Sequence, residues 1–272
     1  SIPYDCTVYN GMCGVPDFFI IGTQKGGTTS LFRWLEQHPQ VEACPAKELH
    51  YFDREIKYKP IEWYLAHFWR NGSSMISGEG TPKTLFHRQA AHMIRTLFPW
   101  VKLIVLLRDP AARAVSAWNM NFRNDKHAPR ALSLEESFRH SRAALEFCSA
   151  LDWDWPRCFG DGEHKHSAMI PAQGLARGLY YYQLKEWMRL FRREQFLLLC
   201  SEDLFARPDD ALARLAAFLA LPHHPFNTSV VFNAKRNAAA PSAALQADLA
   251  AFFREHTLAL FHHLNMTCPW RL

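Results

Sequence analysis

Three short stretches of this 272-residue chain bring together residue types that can do chemistry. The first is Gly22-Thr23-Gln24-Lys25-Gly26-Gly27-Thr28-Thr29-Ser30, with glycines that allow tight turns, a lysine inside the turn and hydroxyls where an amphipathic stretch begins. Flexible backbone followed by the open N–H groups of a helix start makes a cradle for an anion, phosphate above all. Gly22 and Gly27 are spaced as the two glycines of a nucleotide-binding P-loop. Thr28, however, stands where that motif has its essential lysine, which disfavours an ATPase or kinase. The second stretch, Arg108-Asp109-Pro110 with Arg113 and Ser116, offers a bidentate guanidinium fork and a hydroxyl further along the next helix, again suited to phosphate. The third, Lys47-Glu48-Leu49-His50-Tyr51-Phe52, holds a carboxylate and an imidazole that share one face if the chain there is extended, a spacing suited to proton transfer. Taken singly, Arg108 also reads as a partner for Asp109, Glu48 as a surface ion pair with Lys47, and His50 as a packed histidine.

These groups need elements to aim them. Phe18 to Ile21 is an apolar run ending at Gly22, and Thr28 to Gln37 is amphipathic, so the first cradle reads as strand, loop, helix. Val101 to Leu107 and Phe196 to Cys200 are continuous apolar runs flanked by helix-like segments, as expected of strands buried on both faces of a parallel sheet. Val41 to Cys44 is a further strand. Helices are predicted at Leu85 to Leu97, Ala111 to Asn121, Leu134 to Phe147, Leu179 to Phe191, Asp209 to Leu219 and Ala243 to Leu264. The alternation predicts an α/β fold with a mainly parallel, P-loop-like sheet and helices on both faces. It forms a single domain over residues 16–272, after an irregular segment at 1–15. Leu151 to Gln173, with its prolines and glycines, reads as a long surface excursion facing substrate.

Composition narrows the class. With 49% hydrophobic residues one large core is affordable, and a net charge of +5 spread along the chain suits anionic ligands better than a dedicated nucleic-acid surface. No apolar run reaches membrane-spanning length, and the start at Ser1 reads as trimmed from a longer chain. The seven cysteines make no zinc pattern, and His164 and His166, beside Glu163 and Lys165, fall short of a ligand set, so no metal is expected. Cys6, Cys13, Cys148 and Cys158 sit in irregular stretches where oxidation is plausible, whereas Cys44 and Cys200 lie in strand-like runs and read as buried free thiols. Sequons at Asn71, Asn227 and Asn265 fit passage through a secretory lumen. Trp153 and Trp155 suit either stacking on sugar rings or packing beside the Cys148/Cys158 pair.

The loop from Thr23 to Leu31 resembles the 5'-phosphosulfate loop of sulfotransferases that use 3'-phosphoadenylyl sulfate (PAPS), the glycosaminoglycan branch more than the cytosolic small-molecule branch. Leu103 to Ser116 resembles the 3'-phosphate motif of the same family, and Lys47 to Phe52 its catalytic segment. The resemblance implies cofactor binding by Thr23, Gln24, Lys25, Gly26, Gly27, Thr28, Thr29, Ser30, Arg108 and Ser116. Lys235 and Arg236, in Asn233-Ala234-Lys235-Arg236-Asn237, would close over the nucleotide. It further implies that Glu48 removes the proton of a glycan hydroxyl, His50 assists, Lys25 stabilises the departing phosphate, and PAP is released. Gly80 departs from the heparan 3-O-sulfotransferases, which carry lysine at its place in Gly78-Glu79-Gly80-Thr81-Pro82-Lys83. A Cys148–Cys158 pair, Gly178-Leu179-Tyr180 leading into Trp187, and the basic loop resemble instead the N-acetylgalactosamine 4-sulfate 6-O-sulfotransferase type, pointing to chondroitin or dermatan sulfate in the Golgi lumen and an anchor upstream of Ser1. A small alcohol or phenol as acceptor, and a non-catalytic binder of nucleotide or anionic glycan, are the other readings. The first calls for a deep apolar pocket, and the second needs no base beside Lys25.

Overall fold

The run Phe18–Gly22 forms β1, and every one of its residues is buried. A computed structural model describes residues 14–68, 75–124, 133–159, 173–232 and 240–272. Around β1 the chain builds a five-stranded sheet in the order β2-β3-β1-β4-β5, with every pairing parallel. The other strands are β2 (Val41–Ala43), β3 (Ile76–Glu79), β4 (Lys102–Leu107) and β5 (Phe196–Cys200). The helices are α1 (Thr28–Leu35), α2 (Ile61–Leu65), α3 (Arg88–Leu97), α4 (Pro110–Asn124), α5 (Leu134–Ser149), α6 (Trp155–Phe159), α7 (Gln173–Ala176), α8 (Tyr180–Leu190), α9 (Ser201–Ala206), α10 (Pro208–Leu219) and α11 (Ala243–Leu264).

Alternate strand residues face opposite ways, which splits the core in two. Phe19, Ile21, Leu103, Val105, Phe196 and Leu198 pack on one side with Ile94 of α3, Leu184 and Trp187 of α8 and Leu260 of α11. Phe18, Ile20, Ile104, Leu106, Leu197 and Leu199 pack on the other with Leu31 and Trp34 of α1, Leu204 of α9 and Leu212 and Leu215 of α10. The predicted two-faced α/β sheet is therefore present. A third cluster joins Ala114 of α4, Phe138 and Leu145 of α5, and Leu249 and Phe253 of α11 beside the C-terminal ends of the strands.

Several expectations shift. β3 was not among the predicted strands, because Ser77 and Gly78 dilute its apolar signal. Its Gly78 lies so close to β1 that a Cβ would come within 2.3 Å of the Phe18 carbonyl oxygen. β2 ends at Ala43, one residue before Cys44 and Pro45, whose ring cannot donate to a ladder, so Glu48 and His50 are not on an extended strand. The predicted helix at Leu85 begins only at Arg88, after a 3-10 turn at Thr84–Phe86 and an extended His87. Leu151 to Gln173 holds the short helix α6, and residues 160–172 lie outside the described residues.

The cysteine assignment is also corrected. Cys200 is not a free thiol but is bonded to Cys268, with Cα atoms 5.6 Å apart. It ends β5 on the face where the chain returns after α11. Cys148 and Cys158 are free thiols buried side by side, and hydrogen-bonded to each other, rather than a disulfide. Cys44 is a buried free thiol as read, and Cys6 and Cys13 lie outside the described residues. Trp155 is buried against Phe86 and Phe159, and Trp153 packs on Tyr182 and His256.

Candidate functional site

The C-terminal ends of β1, β3, β4 and β5 converge where the strand order changes direction, the place at which doubly wound sheets open a crevice. The loop after β1 is fastened at several points. The Thr23 N–H and hydroxyl both donate to Leu106 O (2.9 and 2.8 Å), the Ser201 hydroxyl donates to Gly26 O (2.6 Å), and Arg108 Nη1 donates to Lys25 O (2.8 Å). Gly27 adopts φ 92°, the left-handed region that favours glycine, and a Cβ there would come within 2.7 Å of the Phe205 ring. Its neighbour Lys25 also has positive φ (72°). Gly27 caps α1 without a side-chain hydrogen bond and the first turn holds no acid, leaving that helix start's positive end open.

This loop forms one wall of a cavity of about 830 Å³. Gln24, Lys25, Gly27, Thr28 and Thr29 line it, as do Arg108 and Ser116 on the next strand–helix unit and Glu48 opposite. Gly26 and Thr23 lie behind the surface as supports, and Ser30 exchanges hydrogen bonds with the Phe232 backbone (3.0 and 3.4 Å). The alternative pairing of Arg108 with Asp109 does not form; Asp109 Oδ1 instead accepts from the Ala112 N–H (2.9 Å) at the start of α4. Lys235 and Arg236 lie outside the described residues, as do His164, His166 and Asn71. No group of three His, Cys, Asp or Glu side chains is placed to hold a metal ion among the described residues.

Glu48 and His50 do face each other, by a route different from the predicted one. His50 takes φ 53°, turning the chain so that Nε2 comes back to 3.4 Å from Glu48 Oε2 while Nδ1 reaches Asp53 Oδ2 at 2.9 Å. Lys47 Nζ donates to Glu48 Oε1 (2.7 Å) and Gly80 O (2.9 Å) and reaches Thr28 Oγ1 at 3.5 Å, tying the acid to the start of α1. Hydrogen bonds that its ring donates to Asp53, then to Glu48, raise His50 to about 9 against the opposing effect of burial, so its ring is cationic at neutral pH. Burial pushes the Glu48 carboxyl up, but the His50 hydrogen bond and Lys47 outweigh it and hold it at about 2. Burial also lowers Lys47 and Lys83, the latter further through Arg177.

The sulfotransferase domain model matches residues 15–255. The chain belongs to the sulfotransferase family. Membrane-associated sulfotransferase kil1 of Dictyostelium discoideum is 26% identical over 99% of this chain and 69% of its own length. Mouse heparan sulfate glucosamine 3-O-sulfotransferase 3B1 is 32% identical over 76% of this chain and 46% of its own length, so the chain spans about half of that relative. Among solved structures, a sulfotransferase from Alicyclobacillus acidocaldarius superposes with a TM-score of 0.69 at 25% identity, covering 94% of this chain and 98% of that one.

Sequence reasoning missed four groups of this sulfotransferase. Asp53 was legible as the acid three residues beyond His50. Lys47 was noted only as a partner for Glu48, although it bridges three elements. Arg177, half-buried with Nη1 2.7 Å from Gln24 Oε1, carries no sequence pattern that marks it, and Glu79, buried beneath the Glu48 segment, was noted only as part of Gly78-Glu79-Gly80-Thr81-Pro82-Lys83 with no role given to it.

Proposed function

We propose that this sulfotransferase moves the sulfuryl group of PAPS to a hydroxyl of a glycan by in-line displacement, releasing PAP. The observation that carries the proposal is that Glu48, Lys25, Arg108 and Ser116 open into one cavity. PAPS needs two anion sites, one for the phosphosulfate and one for the 3'-phosphate. Lys25 to Ser30 at the α1 N-terminus serve the first and Arg108 with Ser116 the second. Lys235 and Arg236 follow Phe232 closely enough in the chain to close over the nucleotide.

In the reaction Glu48 accepts the proton of the attacking hydroxyl. A carboxylate held at about 2 is a weak base, so the acceptor must displace one of its two partners, Lys47 or His50, and thereby restore its basicity. His50, fixed by Asp53, stays cationic beside the transferring group. Lys25 and the loop N–H groups stabilise negative charge as the sulfur–oxygen bond to phosphate breaks.

The acceptor is a glycosaminoglycan, with chondroitin or dermatan sulfate as the first candidate. Lys47, Lys83, Arg54 and Arg177 surround the Glu48–His50–Asp53 network, a field suited to a polyanionic chain, and several relatives bear heparan sulfate names. The Cys200–Cys268 disulfide and the exposed sequons Asn227 and Asn265 support a glycoprotein of the Golgi lumen. No described helix is long and apolar enough to cross a membrane. Radiolabelled PAPS offered with chondroitin, dermatan and heparan sulfates, their desulfated forms and simple phenols tests this reading. Incorporation into a glycosaminoglycan is expected, and incorporation into phenols alone would overturn it.

A further inference from the structure

Glu79 ends β3, and only 1% of its surface is exposed. Burying a carboxyl group is costly, and its three hydrogen-bond partners are all neutral donors: the Tyr64 hydroxyl (3.1 Å), the Thr81 hydroxyl (2.6 Å) and the Leu49 N–H (3.2 Å). The Thr81 oxygen in turn accepts from the His50 N–H (3.3 Å). Residues 79–81 thus run beside residues 47–50 without sheet pairing. The Gly80 N–H donates to Lys47 O (2.9 Å) and Lys47 Nζ returns to Gly80 O, while the side chains of Glu79 and Thr81 take the place of ladder carbonyls for the next two amides. Residue 48 is therefore held from both sides, with its carboxylate left to the cavity.

We infer that Glu79 is a positioning residue that acts through Glu48: its buried carboxyl group clamps the Leu49 amide directly and the His50 amide through Thr81, fixing where the base meets the acceptor. A leucine or glutamine would avoid burying an ionisable group, but neither offers acceptor oxygens toward all three donors. His50 needs the clamp most, since its left-handed backbone lies outside the ordinary range and returns the imidazole to Glu48 only if the flanking amides are held.

The inference rests on Glu48 being the base, and the test separates the two. The variants are Glu79→Gln, Glu48→Gln and the double variant, assayed with radiolabelled PAPS and whichever glycosaminoglycan of the panel turns over fastest. PAP affinity is measured by calorimetry and amide exchange at residues 49 and 50 by NMR. For Glu79→Gln, PAP affinity should stay within about twofold of wild type and acceptor KM should change little, while turnover falls roughly tenfold or more and both amides exchange faster. The double variant should be no slower than Glu48→Gln alone, because a residue that acts only through another adds nothing once that other is gone. Normal turnover in Glu79→Gln beside an inactive Glu48→Gln, or an additive loss in the double variant, would overturn the inference. Normal turnover in Glu48→Gln would instead remove the base assignment, with the exchange data still reporting on the clamp. Should Glu79→Gln fail to fold, Thr81→Val, which cuts only the branch to His50, carries the same predictions.

Discussion

At His50 two carboxylates compete for one ring, and both favour its cationic form: Asp53 at 2.9 Å from Nδ1 and Glu48 at 3.4 Å from Nε2. A histidine raised from 6.5 to about 9 binds its proton more tightly in the folded chain than in the unfolded one. Its contribution to stability is therefore fully present below about pH 6.5 and is lost as the pH climbs through 9. Glu48, depressed from 4.5 to about 2, contributes above pH 4.5 and loses that contribution as the pH falls toward 2. Thermal unfolding followed across pH should show a decline between pH 6.5 and 9 that flattens in His50→Ala. An unchanged decline in that variant would place the titrating group elsewhere.

The elements do for the proposed anion cradle what single residues cannot. β1 and β4 lie side by side, so the loops that follow them meet, and the Arg108 guanidinium both braces Lys25 O and faces the cavity. Losing it should weaken PAP by on the order of 2 kcal/mol, since a charged hydrogen bond to phosphate and a brace for the loop go together. Calorimetry on Arg108→Ala giving wild-type affinity would contradict that placement. The two loops were legible because they follow unbroken apolar runs, FFII and LIVLL, that announce a buried parallel sheet. β3 was not, because a strand whose Gly78 must admit the Phe18 carbonyl oxygen cannot also carry the side chains that mark a strand. Glu48 and His50 were singled out by type, spacing and the resemblance of their segment to the family's, yet the geometry joining them comes from a left-handed turn and from Asp53, which an extended-strand reading cannot supply. Glu79, Lys47 and Arg177 each also reach a partner distant in sequence, Tyr64, Gly80 and Gln24 respectively, and those contacts leave no local pattern.

Across the whole molecule, the chain after α11 is drawn back to the sheet by Cys268, and Trp270 Nε1 then donates to Glu202 Oε2 (2.8 Å), whose other oxygen accepts from the Asp109 N–H (2.9 Å). The C-terminal segment is thereby tied to the Arg108 loop. A cross-link of sequence separation 68 restricts the unfolded chain by roughly 4 kcal/mol. Cys268→Ser should lower the melting temperature by several degrees and also weaken PAP binding, whereas loss of stability with unaltered PAP affinity would show that the tail does not support the cradle. These connections serve one arrangement, a carboxylate facing an anion cradle across a shared cavity. The most direct test is turnover by Glu48→Gln with PAPS and acceptor both saturating. The amide keeps the shape and removes the proton acceptor, so PAP affinity should be retained while turnover falls about a hundredfold to ten-thousandfold. Near-normal turnover in that variant would contradict the account.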